Sequence, residues 1–139
     1  MSALPGSIVL VTRLQRVIYR RATEDVLGMR LKAYITLVNL RDGARSQQDL
    51  CVSLHLDPNN CVLLLNDLER DGYVERRRDP ADRRRHIVEL TPAGRKAMLA
   101  AERALESLED EVLGALTPAE REQLRGLLAR ALDAEAATI

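Results

Sequence analysis

"RRRDPADRRRHIVELTPAG", running from Arg76 to Gly94, is the stretch on which the fold of this sequence turns. Two arginine triplets, Arg76-Arg77-Arg78 and Arg83-Arg84-Arg85, flank the short acidic segment Asp79-Pro80-Ala81-Asp82. That segment is turn chemistry, because proline presets φ and aspartate side chains bond to the backbone just ahead of them. "YVERR" at Tyr73–Arg77 and "HIVEL" at His86–Leu90 are short β-prone runs on either side of it. The spacing predicts a β-hairpin with arginines at its tip.

Working outward, Gly72 stands just before the hairpin, where a helix C-cap glycine belongs. The helix it closes starts at Asp57-Pro58, with aspartate as N-cap and proline at the first helical position, where no N–H is required. Val62, Leu64, Leu65 and Leu68 are its apolar residues. Before it, Ser46-Gln47-Gln48-Asp49 predicts a short helix ending near Leu54, capped by the serine, with Asp49 beside the positive end of the dipole. Two helices this close, joined by His55-Leu56 and a cap, make a helix-turn-helix. Farther upstream, Leu10, Leu14, Val17, Ile18, Ala22 and Val26 recur near helical spacing and predict one helix from Ser7 to Leu27, ended by Gly28. Another helix is predicted from about Arg30 to Leu40, closed by Arg41-Asp42-Gly43. Downstream, Thr91-Pro92 opens a helix over 92–113, and the T-x-x-E capping box at Thr117–Glu120 opens a last one to about Ala134. The predicted fold class is mainly α, a winged helix-turn-helix with six helices and a two-stranded β wing.

The chain has 139 residues, enough for one domain with a real core, and contains neither Phe nor Trp. Leu, Val, Ile and Ala must fill that core, which suits helices packed on helices. Net charge is zero but unevenly spread: residues 1–98 carry 17 basic and 12 acidic side chains, residues 99–139 carry 4 and 9. This asymmetry predicts a basic working face and an acidic remainder. No apolar run approaches the roughly 18 residues of a membrane span, and the N-terminal residues lack the order of a signal peptide. A cytoplasmic chain without membrane contact is expected.

The helix pair and hairpin together suit double-stranded DNA. The second helix of the pair is narrow enough for the major groove, where each base pair shows its own donor and acceptor pattern. The hairpin can reach the neighbouring backbone or minor groove, where arginine binds phosphates bidentately and favours narrow, electronegative grooves. A basic hairpin also reads as a solvated edge strand whose charges discourage aggregation. Residues 46–94 resemble the multiple-antibiotic-resistance regulator (MarR) family of bacterial transcription factors, through "LNDLERDGYVERRRDPADRRRHIVELTPAG", Leu65–Gly94. Its most specific piece is the wing signature Asp82-Arg83-Arg84, followed by an apolar strand and Leu90-Thr91.

The resemblance implies a homodimer through the first, fifth and sixth helices, with two winged modules on successive half-sites of a pseudo-palindromic operator. It divides a single domain, 1–139, into dimerisation helices at 1–27 and 99–139 and a DNA-binding module at 30–98. By position it makes Arg84 the wing arginine of the minor groove, oriented by Asp82, with Arg83 and Arg85 on phosphates. The expected DNA-facing set is Pro58, Asn59, Asn60, Leu63, Arg76, Arg78, Asp82, Arg83, Arg84, Arg85 and His86. The start of the recognition helix, Pro58 to Leu63, departs from the family pattern in carrying no Arg or Lys. Asn59 and Asn60 suit adenine edges and Leu63 a thymine methyl, but both asparagines also suit a helix cap.

Cys51 and Cys61 are too few for a disulfide framework. Each reads first as a free, small, buried hydrophobe; the alternative is oxidation sensing, which needs a lowered pKa and exposure. His55 and His86 are the only histidines, and without a Cys-x-x-Cys or a close acidic cluster no metal or other cofactor is expected. No Gly-rich phosphate loop or nucleophile motif points to an enzyme. MarR-like proteins commonly hold phenols or aromatic carboxylates between the dimerisation helices and the winged module. That makes Arg13, Arg16, Tyr19, Arg20, Tyr34 and Val38 the candidate ligand set. Arg16 and Arg20, spaced i,i+4 on one face, suit a carboxylate, but the preferred reading pairs them with acidic residues of a partner subunit. The expected function is a homodimeric DNA-binding repressor released by a small aromatic, anionic ligand. The alternatives are an oxidation-sensing repressor acting through Cys51 and Cys61, and a winged-helix protein-interaction module that does not bind DNA.

Overall fold

Short local signals set the β2–β3 hairpin and several of the helix starts, and the computed structural model describes the chain over residues 3–137, with side chains through Asp133. Met1, Ser2, Thr138 and Ile139, the ends of the expected 1–139 domain, lie outside the described residues. In order, the elements are α1 (Ser7–Arg21), α2 (Glu24–Leu27), α3 (Leu31–Val38), β1 (Arg45–Ser46), α4 (Gln47–Ser53), α5 (Pro58–Arg70), β2 (Val74–Arg78), β3 (His86–Leu90), α6 (Pro92–Val112) and α7 (Pro118–Ala137).

Side-chain caps set the starts of α4, α5, α6 and α7, whereas α1, α2 and α3 begin without one. Ser46 Oγ accepts from Asp49 N at 3.1 Å, Asp57 Oδ1 from Asn60 N at 3.0 Å, and Thr91 Oγ1 from Gly94 N at 2.9 Å. At α7 the capping box is reciprocal: Glu120 N donates to Thr117 Oγ1 at 3.2 Å and Thr117 N to Glu120 Oε1 at 2.9 Å. Each cap satisfies an N–H that has no partner within the helix. At the other end of α5, Gly72 takes φ 80 while Tyr73 N bonds to Leu68 O and Gly72 N to Glu69 O, a Schellman motif that turns the chain straight into β2.

The three strands form an antiparallel sheet in the order β1-β3-β2, with Arg76 opposite Val88 and Arg78 opposite His86. β1 is a third strand beyond the two of the expected wing; at two residues, pairing Arg45 with Val88 and Ser46 with Ile87, it is too short to carry a period-two pattern. The core is aliphatic, as the missing Phe and Trp require: Leu37, Leu40, Leu50, Leu65, Val74, Val88 and Met98 are almost fully buried.

Three expectations need correction. The single helix over Ser7–Leu27 is broken at Ala22–Thr23, where Ala22 turns into the core and extended Thr23 starts a new helix whose first turn is Glu24-Asp25. Acidic residues favour a helix N-terminus, so the apolar periodicity ran across a boundary that the charges had marked. Val62, grouped with the apolar side of the recognition helix, is 37% exposed, whereas Cys61, Leu64, Leu65 and Leu68 are buried. Cys51 and Cys61 are not free: their sulfurs are bonded, joining α4 to α5 with the Cα atoms 5.8 Å apart, a separation a disulfide spans. Cys61 is nonetheless fully buried, as a small hydrophobe would be.

Candidate nucleic-acid interface

The wing loop is held by its own backbone. Asp79 N donates to Arg85 O at 2.9 Å, Arg85 N to Asp82 O at 2.9 Å, and Ala81 N to the Asp79 carboxylate at 2.9 Å. The aspartates thus do what turn aspartates do, accepting from N–H groups a residue or two ahead.

The six arginines flanking this loop divide into two groups. Arg76 is turned back onto α5 and donates to Glu69 and Asn66. Arg77 reaches Glu89 at 2.7 Å, where it offsets the like-charge pair of Glu75 directly opposite Glu89. Arg78 donates to Arg83 O at 2.9 Å and closes the loop. Arg83, Arg84 and Arg85 instead project as an exposed trio with His86 beside them. The Arg84 side chain is 93% exposed, and Asp82 Oδ1 accepts from its Nε at 3.3 Å and from its backbone N at 3.1 Å. An ion pair this exposed contributes little stability, so its effect is to restrict where the guanidinium points.

On α5, the buried residues Cys61, Leu64, Leu65 and Leu68 face the core, which leaves Pro58, Asn59, Asn60, Val62 and Leu63 exposed. Asn60 is partly committed locally: its Nδ2 donates to Asp57 Oδ2 at 2.6 Å. Its role as a cap partner, one of the two open at the sequence level, is therefore present. A cleft of about 440 Å³ runs between α4, the start of α5 and the wing, lined by Gln47, Cys51, Pro58, Val62, Arg85 and His86 among others. It brings Pro58 together with Arg84, Arg85 and His86 of the expected set. Gln47, Gln48 and Val62 also line it and were not in that set; the only signal was that α4 and α5 had to share a face.

The six candidate ligand residues are not assembled. A larger groove of about 720 Å³ lies between α1, α6 and α7, and of the six only Tyr34 lines it. Arg13, Arg16, Tyr19 and Arg20 are exposed on α1, and Val38 packs against the core. The groove has an apolar floor that includes Leu14, Ile18 and Leu105, and it carries Glu102, Glu106, Glu109 and Glu122 against Arg121 and Arg125. Tyr34 Oη donates to Glu102 Oε1 at 3.5 Å, and Arg41 pairs with the same carboxylate. Burial, then the neighbouring Glu102 carboxylate, raise the Tyr34 pKa. The hydrogen bond to Glu102 raises the Arg41 pKa in turn. Among the described residues no cluster of His, Cys, Asp and Glu suits a metal ion, and no helix is long and apolar enough to cross a membrane.

Comparison with known proteins agrees with this geometry. A family model described as MarR family matches residues 27–85. Over 85 residues the chain is 36% identical to a Thauera aromatica protein assigned to regulation of the hcr operon, covering 61% of this chain and 51% of that one. The chain therefore spans about half the length of that relative. An HTH-type transcriptional regulator of Mycobacterium bovis is 30% identical over 116 residues, 83% of this chain and 80% of its own. Among solved structures, Bordetella bronchiseptica BpsR, whose DNA binding is regulated by 6-hydroxynicotinic acid, superposes with a TM-score of 0.79 at 26% identity, covering 96% of this chain and 97% of that one. With its helix-turn-helix, its wing and these relatives, the chain belongs to the MarR family of DNA-binding transcriptional regulators.

Proposed function

We propose that this regulator is a homodimeric repressor that clamps a pseudo-palindromic operator with two wings and is released by a small aromatic carboxylate. The observation that carries the clamp is the shared cleft: the exposed start of α5 and the exposed Arg84, Arg85 and His86 border the same space. In this reading α5 lies in the major groove, Arg84 enters the adjacent minor groove, and Arg83 and Arg85 hold phosphates. With no Arg or Lys between Pro58 and Leu63, the wing carries most of the affinity.

Residues 1–27 and 99–139 serve dimerisation and 30–98 serve DNA binding. Ile8 and Val11 on α1 and Leu127 and Leu132 on α7 are 52–80% exposed, which supports a covered face between two copies. The acidic groove and the arginines of α1 are complementary, so a second copy's α1 suits the groove. An aromatic carboxylate in the groove would then find its cation on the partner's helix, since the groove of one chain is mainly acidic. The ligand acts only through its different affinities for the DNA-competent and incompetent dimer geometries.

The test is a mobility-shift titration of the full-length protein on DNA from upstream of its own gene, with hydroxybenzoates and hydroxypyridine carboxylates added in turn. Expected are a specific complex and, for at least one ligand, a loss of affinity of about tenfold or more. A complex untouched by the whole panel contradicts ligand release. Absence of any complex contradicts the operator clamp and favours a protein-interaction module.

A second reading is favoured by the bond between Cys51 and Cys61. Disulfides in compartments that hold DNA are commonly transient or redox-sensing. This one ties α4 to the first turns of α5, so its formation and reduction would alter the DNA-binding helix directly. The discriminating property is whether oxidant and thiol reductant change DNA affinity.

A further inference from the structure

The least exposed of the wing-base arginines has its partners on the recognition helix. The Arg76 side chain is 18% exposed, against 93% for Arg84. Its Nε donates to Glu69 Oε2 at 3.4 Å and its Nη2 to Glu69 Oε1 at 3.1 Å, while its backbone N donates to Glu69 Oε2 at 3.3 Å. The same Nη2 donates to Asn66 Oδ1. Asn66 and Glu69 are three residues apart, on one face of α5. Alternation along β2 puts Arg76 on the face of buried Val74 and directly across from buried Val88. The hydrogen bond from Arg76 also lowers the pKa of the Glu69 carboxyl.

Two roles are physically opposed here. As a phosphate ligand, Arg76 would have to leave a fork-on-carboxylate arrangement, and Glu69 would be a competitor for it. As a strut, Arg76 does its work in the arrangement seen, and Glu69 is required. Planar, bidentate pairing fixes direction as well as distance, which a point charge would not do. We infer that Arg76 is a positioning residue: with Glu69 and Asn66 it fixes the base of the wing to the recognition helix. The wing-tip arginines and the exposed start of α5 then meet neighbouring grooves as one rigid unit. Two linked binding elements add their affinities only when their geometry allows both to engage at once. The inference rests on the DNA-binding reading above.

The two roles give opposite signs for one substitution. Glu69→Gln removes a negative charge from a DNA-binding helix, so on the phosphate-ligand role it leaves affinity unchanged or tightens it. On the strut role it weakens binding. The experiment measures full-length wild type, Glu69→Gln, Arg76→Met and the double variant on the upstream duplex and on a random-sequence duplex across a salt series. Glu69→Gln is expected to lose roughly tenfold on the upstream duplex, a small part of the about 10²–10⁴ that simultaneous engagement can add. Its salt slope and random-duplex affinity should match wild type, the latter also reporting that the variant is folded. Arg76→Met should behave alike, and the double variant should be no weaker than either single one. Equal or tighter binding by Glu69→Gln overturns the inference. So does an Arg76→Met protein whose salt slope is shallower by about one per protomer, the signature of a lost phosphate contact. Wild type that binds neither duplex at low salt removes the DNA-binding reading itself, and the strut with it.

Discussion

An added Cβ at Gly94 would sit 2.1 Å from the carbonyl oxygen of Tyr73 and 2.9 Å from a Leu90 methyl. This is where α6 starts against the base of the wing: Thr91 N donates to Tyr73 O at 3.1 Å and Thr91 Oγ1 to Gly72 O at 2.7 Å. The obstacle is backbone held by hydrogen bonds, so it cannot swing aside as a side-chain tip would. Gly94→Ala is therefore expected to lose at least the about 1–3 kcal/mol typical of overpacking, read as a lower melting temperature. An unchanged melt would mean that α6 does not begin against Tyr73. The sequence showed the Thr91 cap but not this contact, because the residue that Gly94 meets lies on the far side of the wing. The same limit hid the division among the arginines. The wing signature marked Arg84, but nothing along the chain set Arg76 apart from the other arginines of its triplet, and only the fold gives it Glu69 while Arg84 meets solvent.

Most element ends fixed by neighbours along the chain were legible in the sequence itself, the break between α1 and α2 excepted. The caps at Ser46, Asp57, Thr91 and Thr117 and the glycine at the end of α5 all stand where local chemistry puts them. Elements fixed from a distance were not. β1 exists because β3 lies beside it, and the disulfide exists because α4 and α5 cross with Cys51 facing Cys61. That crosslink joins the two helices of the helix-turn-helix within two turns of the exposed asparagines. Constraint at this point should be felt at the DNA. On the oxidation-sensing reading, oxidised wild type binds the upstream duplex more weakly than reduced wild type. Cys51→Ser/Cys61→Ser binds equally under both conditions. Equal affinity of the two wild-type forms would leave the crosslink a structural staple and no switch.

Across the whole molecule the charge asymmetry seen in the sequence acquires a place. Glu102, Glu106, Glu109 and Glu122, from the acidic end of the chain, line one groove, and the exposed arginines of the wing lie outside that groove. Zero net charge therefore hides an acidic groove and a basic wing, which on the reading proposed above serve a second copy and DNA respectively. A basic patch of this kind acts by displacing counterions from the phosphate backbone, so its contribution shows as salt dependence. The salt series on the upstream duplex, run for the wild-type protein beside Arg84→Ala, reads that contribution directly. If the dimer neutralises roughly six to ten phosphates, wild-type affinity falls by about 10³–10⁵ between 50 and 200 mM salt, and Arg84→Ala binds at least about tenfold more weakly throughout. A wild-type affinity nearly indifferent to salt, or an Arg84→Ala protein that binds as wild type does, would contradict the wing clamp.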